Sequence, residues 1–278
     1  MIKYALIGCG AWGKNYISTI EKRPDLHKIA AICSRSPNSY KNYHHFSDYR
    51  DLRKFDVDAV IVATPPSSHY EIVRFALLSN KHVIVEKPFV FDVKQAEELT
   101  AIANERRLSL IINYIHLFNT EFLALRENFK FNSVPIQTLS IGQNWGPFRT
   151  DYSALWDYGS HDIAMVLYFA GYNEPIKIDC MAKSPGNNGL YSINLQFQNG
   201  ISSWINVGNM SPVKTRMFAA KSLRETAVWQ DDGKQNPLDN LVETFSKYLE
   251  SNLQVNYGTL GIQVTKILQI CDGLITLG

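Results

Sequence analysis

The first 113 residues alternate short apolar runs with stretches of helical periodicity. The apolar runs predict strands at residues 2–7, 29–33, 58–64, 82–85 and 108–113. Helices are predicted between them, at residues 11–22, 68–79 and 93–107. Continuous apolar strands that alternate with helices are typical of a parallel sheet covered on both faces. The pattern therefore predicts a doubly wound α/β domain.

The pattern changes near residue 118. Helices are predicted at residues 121–129 and 153–169, a strand at 136–143, and further strands with turn signals from 175 to 220. Asn199-Gly200, between SINLQFQ and ISSWINV, is a strong hairpin signal. Two helices near 238–253 and 259–274 close the chain. We expect one domain over residues 1–118, and over 119–278 an α+β domain with an open, mostly antiparallel sheet.

Composition narrows the class of protein. The chain has 278 residues, with 28 Lys and Arg against 26 Asp and Glu, and this near balance argues against a nucleic-acid partner. Its apolar runs are shorter than the roughly 20 residues that a membrane span needs, and Gly8 interrupts the first run before a signal peptide could form. The four cysteines form no CxxC pair, which favours reduced thiols in the cytoplasm over disulfides or a metal site.

The hexapeptide GCGAWG follows the first predicted strand and opens the first predicted helix. In this G-x-G-x-x-G pattern Gly8 allows a tight turn, Gly10 lets backbone amides approach a pyrophosphate, and Gly13 permits close packing of helix on strand. Ala11 and Trp12 lie in the same turn and are further expected cofactor contacts. A glycine-rich turn without a ligand is the alternative, but the position favours a dinucleotide-binding Rossmann domain.

The end of the second predicted strand bears on the choice of dinucleotide. Residues 31–36 read AICSRS and lack the carboxylate that would bind the ribose hydroxyls of NAD. Ser34 and Arg35 could instead hold a 2′-phosphate, since a guanidinium offers a fork of donors to phosphate oxygens. Arg35 as a solvated loop residue is the alternative. The sequence thus favours NADP over NAD and leaves both open.

Three further motifs follow along the chain: ATPPSSH from Ala63, EKP from Glu86, and WDYGSHD from Trp156. Together with the glycine turn, their order resembles the glucose–fructose oxidoreductase/inositol dehydrogenase (Gfo/Idh/MocA) family. The resemblance implies an NAD(P)-dependent oxidoreductase acting on a sugar, cyclitol or related polyol. It also implies a substrate-binding second domain whose open sheet forms a subunit interface, and hence a homodimer or homotetramer.

The resemblance also implies roles for individual residues. Thr64, Pro65 and His69 would lie near the cofactor, and Lys87 at the active site beside the nicotinamide. Asp157 and His161 would face it from the second domain. The chain is shorter than most family members, which leaves the size of the substrate open.

The residues themselves support a catalytic interpretation. Lys87 follows a predicted strand at the end where open α/β sheets bind ligands, and Glu86 could position its ammonium group or join it at the cofactor. Asp157 and His161 are four residues apart, which places them on one face of a helix, where the carboxylate can orient the imidazole as a general base. A solvated lysine and a capping carboxylate with a surface histidine are the alternatives. Spacing alone does not decide whether Lys87 or His161 carries the proton.

Five residues are expected substrate contacts: Tyr114, His116, Asn119, Trp145 and Arg149. For His116 a satisfied linker residue is the alternative, and for Trp145 and Arg149 a packed turn with a surface arginine. If Arg149 binds a phosphate group of the substrate, the substrate would be a nucleotide sugar.

The function predicted from the sequence is hydride transfer between a nicotinamide cofactor and the hydroxyl or ketone of a sugar, cyclitol or nucleotide sugar. Two alternatives stay open. One is redox-assisted elimination or hydrolysis with retained NAD. The other is a nucleotide-sensing protein without catalysis.

Overall fold

The computed structural model describes residues 1–35, 42–132, 134–183 and 186–276. The chain forms two compact units, and each is made from two separate stretches of sequence. The first unit comprises Met1–Asn113 and Leu238–Ile262, and the second comprises Tyr114–Pro237 and the residues from Gln263 on. The helices are α1 (Ala11–Glu21), α2 (His69–Leu78), α3 (Val93–Glu105), α4 (Thr120–Asn128), α5 (Ser160–Phe169), α6 (Pro237–Glu250) and α7 (Gly258–Thr276).

The first unit is built on a six-stranded parallel sheet in the order β3-β2-β1-β4-β5-β6. Its inner strands consist almost entirely of buried Val, Ile, Leu and Ala, as expected of a sheet covered on both faces. The predicted doubly wound α/β fold is therefore confirmed. Its strands are β1 (Ile2–Ile7), β2 (His27–Cys33), β3 (His44–Phe46), β4 (Ala59–Val62), β5 (His82–Val85) and β6 (Leu110–Ile112).

The C-terminal stretch from Leu238 to Ile262 joins the first unit, whereas the sequence-based boundary at residue 118 placed it in the second domain. The apolar face of α6 explains this difference. Phe245 is fully buried, with its ring 6.3 Å from the ring of Tyr4 on β1, and the Tyr4 hydroxyl lies 3.1 Å from Ser246 Oγ. Periodicity shows that a helix has an apolar face but not which sheet it covers.

The second unit contains a six-stranded sheet in the order β12-β11-β7-β10-β9-β8. Only the β7–β10 pair is parallel, so the predicted mostly antiparallel sheet is confirmed. The Asn199-Gly200 hairpin is also confirmed, since it joins β9 to β10 and Gly200 has a φ of +83°. The strands are β7 (Ile136–Trp145), β8 (Pro175–Lys183), β9 (Leu190–Phe197), β10 (Ile201–Gly208), β11 (Met210–Lys221) and β12 (Thr226–Gln230).

Helix α5 contacts β7 and β10 on one face of this second sheet, where Ile205 and Phe218 are fully buried. Among the residues the structure describes, no helix is long and apolar enough to cross a membrane. Those residues also contain no group of three or more His, Cys, Asp or Glu side chains placed to hold a metal ion.

Candidate functional site

The glycine turn after β1 has the geometry of a phosphate cradle. Gly8 has a φ of +96°, and a Cβ there would lie 2.5 Å from the carbonyl oxygen of Ala63. A Cβ on Gly13 would overlap the carbonyl oxygen of Gly8, whereas a Cβ on Gly10 would meet open space. Gly8 and Gly13 are thus required by packing, and Gly10 leaves the approach to the start of α1 clear.

The start of α1 is suited to an anion. No side-chain cap and no acidic residue is found in its first turn, all of which lies in the described part of the chain. The positive end of the helix dipole and its backbone amides therefore remain for a ligand phosphate. Ala11 is exposed and Trp12 half-buried in this turn. These residues fit the pyrophosphate of a dinucleotide.

The end of β2 presents Ser34 and the exposed Arg35. His45 on β3 holds this segment, because its Nε2 lies 2.9 Å from the carbonyl oxygen and 3.3 Å from the hydroxyl of Ser34. The sequence did not predict β3 (His44–Phe46). His44 is exposed, whereas His45 is half-buried and contacts a candidate cofactor residue. A strand of three residues gives too short a pattern to detect.

The turn after β4 carries Thr64 and Pro65. Ser68 Oγ donates hydrogen bonds to Thr64 Oγ1 and to the carbonyl oxygen of Pro65, both at 2.8 Å. His69, the first residue of α2, is fully buried, and both of its ring nitrogens contact backbone carbonyl oxygens. Burial lowers the pKa of His69, while the carbonyl contacts act in the opposite direction. The expected contact of His69 with a cofactor is therefore revised, because both nitrogens are already engaged within the protein.

The turn after β5 carries Glu86 and Lys87. Asn113 Nδ2 donates a hydrogen bond of 2.7 Å to Glu86 Oε1, and Lys87 is half-buried. Burial raises the pKa of Glu86 to about 7, although Asn113, Lys87 and Tyr16 favour its charged form. Glu86 is only 5% exposed, so its carboxyl group lies in the protein interior, whereas the sequence offered it as a cofactor contact or as a group that positions Lys87.

In the second unit the predicted helix over residues 153–169 begins as a π-helix, Leu155–Gly159, and continues as α5. Asp157 is buried in this first turn and accepts a hydrogen bond of 2.6 Å from Arg149 Nε. The guanidinium of Arg149 also lies 5.1 Å from the centre of the Tyr152 ring. Arg149, expected as a substrate contact, is thus the partner of the candidate catalytic carboxylate. Single-turn π-helices occur frequently at functional sites.

His161 follows on α5 and is 8% exposed. Its ring lies 5.2 Å from the ring of His116 in an edge-to-face arrangement, and His116 lies 5.6 Å from Trp229 on β12. His116 is thus brought beside the candidate base. Trp229 was not found from the sequence, because β12 follows a short turn and was not recognised as a strand.

The other three expected substrate contacts differ in how far their side chains are exposed to solvent. Asn119 is buried, and its Oδ1 caps α4 by accepting from the backbone amides of Glu121 and Phe122 at 3.0 Å. Tyr114 is buried as well, which raises the pKa of its hydroxyl. Direct contact with substrate is therefore not supported for these two residues. Trp145 is 62% exposed at the end of β7 and remains available.

A parallel doubly wound sheet with a glycine cradle after its first strand defines a dinucleotide-binding protein of the Rossmann class. Residues 2–114 match the family model described as "Oxidoreductase family, NAD-binding Rossmann fold". The resemblance to the Gfo/Idh/MocA family seen in the sequence is therefore confirmed over these residues.

Individual relatives extend the comparison. The chain is 24% identical over 200 residues to scyllo-inositol 2-dehydrogenase (NADP(+)) of Bacillus subtilis, covering 66% of this chain and 55% of that protein. It is 36% identical over 129 residues to dTDP-3,4-didehydro-2,6-dideoxy-alpha-D-glucose 3-reductase of Actinomadura kijaniata, covering 43% and 38%. The matched regions thus span about half, or less, of these curated relatives.

A crystal structure from Magnetospirillum magnetotacticum MS-1, of a provisionally assigned oxidoreductase, is similar over nearly the whole chain. It shares 29% identity and superposes with a TM-score of 0.85, covering 97% of this chain and 99% of that one. The myo-inositol 2-dehydrogenase of Lactobacillus plantarum has the same fold, with a TM-score of 0.89 at 15% identity over 100% and 98% of the two chains.

Proposed function

We propose that this protein is an NAD(P)-dependent oxidoreductase that transfers a hydride between nicotinamide and a hydroxyl or ketone carbon of a sugar, cyclitol or nucleotide sugar. The glycine cradle carries the proposal, because Gly8 and Gly13 leave no room for a side chain and the start of α1 stays clear for phosphate. The family match and the activities named for the curated relatives support the substrate class.

In this proposal, four residues of the chain bind, orient or deprotonate the reacting hydroxyl group. A bound nicotinamide supplies the hydride acceptor. Lys87 donates a hydrogen bond to the reacting oxygen, and His161 takes up the hydroxyl proton as general base. Asp157 stabilises the imidazolium, and Arg149, through its 2.6 Å hydrogen bond, fixes the orientation of that carboxylate. Reduction of a ketone uses the same groups in reverse.

NADP is the preferred cofactor in this proposal. Arg35 is exposed at the end of β2, where a guanidinium can bind a 2′-phosphate, and His45 fixes the neighbouring Ser34. Residues 31–35 contain no carboxylate that would select the free 2′-hydroxyl of NAD.

A panel of polyols, cyclitols and nucleotide sugars, assayed with both cofactors by the absorbance of reduced nicotinamide, tests the function. We expect turnover with at least one compound and a lower KM for NADPH than for NADH. Lys87→Ala and His161→Ala should each lower kcat by about 10²–10⁴-fold and change the cofactor Kd by only a few-fold. Lys94→Ala, on the exposed side of α3, is the matched control and should retain wild-type turnover.

Other outcomes of this experiment would favour the alternatives. The cofactor could stay bound through purification while substrate undergoes elimination or hydrolysis with no net change in nicotinamide absorbance. That result would favour a redox-assisted reaction in which retained NAD is recycled within the enzyme. Cofactor binding without turnover across the panel would favour a sensing role. Absence of binding to either dinucleotide would contradict the proposal.

A further inference from the structure

Three backbone carbonyl groups surround the buried imidazole of His69. Its Nδ1 lies 2.9 Å from the carbonyl oxygen of Pro88 and 3.2 Å from that of Phe89. Its Nε2 lies 3.0 Å from the carbonyl oxygen of Thr64. The ring therefore contacts two different segments of the chain, one with each nitrogen.

These segments are the turns that follow two neighbouring strands. Thr64 lies just beyond β4, and Pro88 follows Lys87 just beyond β5. β4 and β5 pair in parallel with Val62 opposite Val85, so both turns lie at the same edge of the sheet. The carboxyl-terminal edge is where open α/β sheets bind their ligands.

The imidazole of His69 is a polar group in a fully buried position. His69 has no exposed surface, and burial of a polar group is unfavourable unless hydrogen bonds compensate for the lost water. A neutral imidazole carries one N–H, so it donates a hydrogen bond on one side, to Pro88 and Phe89 or to Thr64, and packs against the other side. An apolar ring of the same size would donate none. The contacts of the imidazole thus set the separation of the two turns.

We propose that His69 is a positioning residue that ties the Thr64 turn to the Lys87-Pro88 turn, so that the cofactor-side segment and the site lysine are placed as one unit. The inference rests on the proposed function for the roles of Thr64 and Lys87. His69 itself does not contact substrate or cofactor in this proposal.

Two substitutions separate the two sides of the tie. The amide nitrogen of His69→Asn takes the place of Nδ1 and keeps the contact with Pro88 and Phe89, whereas that of His69→Gln takes the place of Nε2 and keeps the contact with Thr64. We expect each variant to lower kcat tenfold or more and to raise the Kd for NADPH about three- to tenfold, with a smaller change in the KM of the substrate. A wild-type kcat together with a wild-type Kd for NADPH in either variant would overturn the tie.

Amide hydrogen exchange of the protein without cofactor gives a readout independent of activity. In both variants we expect faster exchange in both turns, including the turn whose contact the variant keeps. Faster exchange confined to the released turn would overturn the proposal. If both variants fail to fold, the wild-type protein still decides: addition of NADPH should slow exchange in both turns together, and protection of one turn alone would contradict the tie.

His82→Asn is the matched control. His82 lies at the opposite end of β5, where its Nδ1 accepts a hydrogen bond of 2.9 Å from the backbone amide of Ser109, and an asparagine oxygen can replace that acceptor. We expect its kcat and NADPH affinity within twofold of wild type. Wild-type protein that binds neither dinucleotide would contradict the proposed function, whereas normal binding and turnover in the His69 variants would contradict only the tie.

Discussion

Glu86 is a carboxyl group that folding removes from water. Asn113 satisfies one of its oxygens, but burial raises its pKa from the ordinary value of 4.5 to about 7. Between these pH values the folded protein holds a proton that the unfolded chain has released. The contribution of Glu86 to stability therefore declines as the pH rises from about 4.5 to about 7. The full penalty above that range is on the order of 3 kcal/mol, since one pKa unit is worth about 1.4 kcal/mol.

Glu86→Gln should remove this pH dependence. Glutamine stays neutral and keeps an oxygen that accepts from Asn113, so the variant should differ least from wild type at pH 5, near the lower end of this range. We expect it to become the more stable protein as the pH rises to 8. Urea unfolding at pH 5, 6.5 and 8 measures the difference in the free energy of unfolding.

Glu97→Gln on the exposed side of α3 serves as the control, because it removes a carboxylate that is exposed to solvent in the folded protein. A difference between Glu86→Gln and wild type that stays constant with pH would show that Glu86 is ionised in the folded protein throughout this range.

For single residues, the sequence predicted roles that follow from backbone geometry better than roles that depend on burial. Gly8 and Gly13 could be assigned because only the absence of a Cβ suits that turn. Asn119 and His69 were expected to contact a ligand. Instead, Asn119 caps α4, and His69 contacts backbone carbonyl oxygens. A motif fixes which side chain is present and leaves open whether it points outward. The functional assignments of Lys87, Asp157 and His161 remain predictions.

At the scale of elements, a buried ion pair seats α5 on the second sheet. Asp162 is fully buried, accepts from Ser140 Oγ on β7 at 2.6 Å, and pairs with Arg216 on β11. Gly142 leaves the space that the pair occupies, since a Cβ there would overlap the Asp162 carboxylate. This pair adjoins His161 along the helix and fixes how α5 lies on the sheet.

Asp162→Asn should destabilise the second unit strongly. The substitution leaves the Arg216 guanidinium, whose side chain is 12% exposed, without its counter-charge. Loss of one partner of a buried pair costs about 3–5 kcal/mol. We expect a loss of this size in the free energy of unfolding, measured by urea denaturation and followed by circular dichroism.

Glu174→Gln is the matched control in the same unit. It breaks the Lys266–Glu174 pair, whose side chains are about half exposed, and exposed pairs contribute roughly 0–1 kcal/mol. Equal effects of Asp162→Asn and Glu174→Gln would show that the buried pair has no special part in seating α5.

Periodicity predicted the longer elements, and the structure confirms them. It did not reveal β3, β12 or the π-helix before α5. β3 has three residues and β12 five, so neither carries enough alternation to stand out from the surrounding loops. The π-helix depends on backbone hydrogen bonding that the identity of the side chains does not encode directly.

The second sheet has an exposed face with an apolar row across it. The row runs through Val228, Ala219, Leu139 and Trp204, which pair in register on β12, β11, β7 and β10. Val228 is 60% exposed and Trp204 45%. Contiguous exposed apolar surface of this kind marks interaction sites. We propose that a second copy of the chain covers this face, which the family resemblance also implies.

Trp204→Glu places a charge on this face and should prevent the proposed association of two copies of the chain. Burial of the new carboxylate against a second copy would be unfavourable, and the two carboxylates of a symmetric pair would repel each other. A stable interface of standard size buries about 1,600 Å² in total, so loss of its apolar centre should raise the dissociation constant by orders of magnitude. Sedimentation velocity over a hundredfold range of concentration measures the change.

Leu253→Glu is the control for this prediction, because Leu253 is 61% exposed in the first unit and does not lie on the second sheet. We expect it to keep the wild-type association state, and the circular dichroism spectra of both variants should match wild type. A wild-type protein that sediments as a monomer at all concentrations would show that the exposed face does not join copies of the chain. A Trp204→Glu variant that still associates would place the interface on another surface.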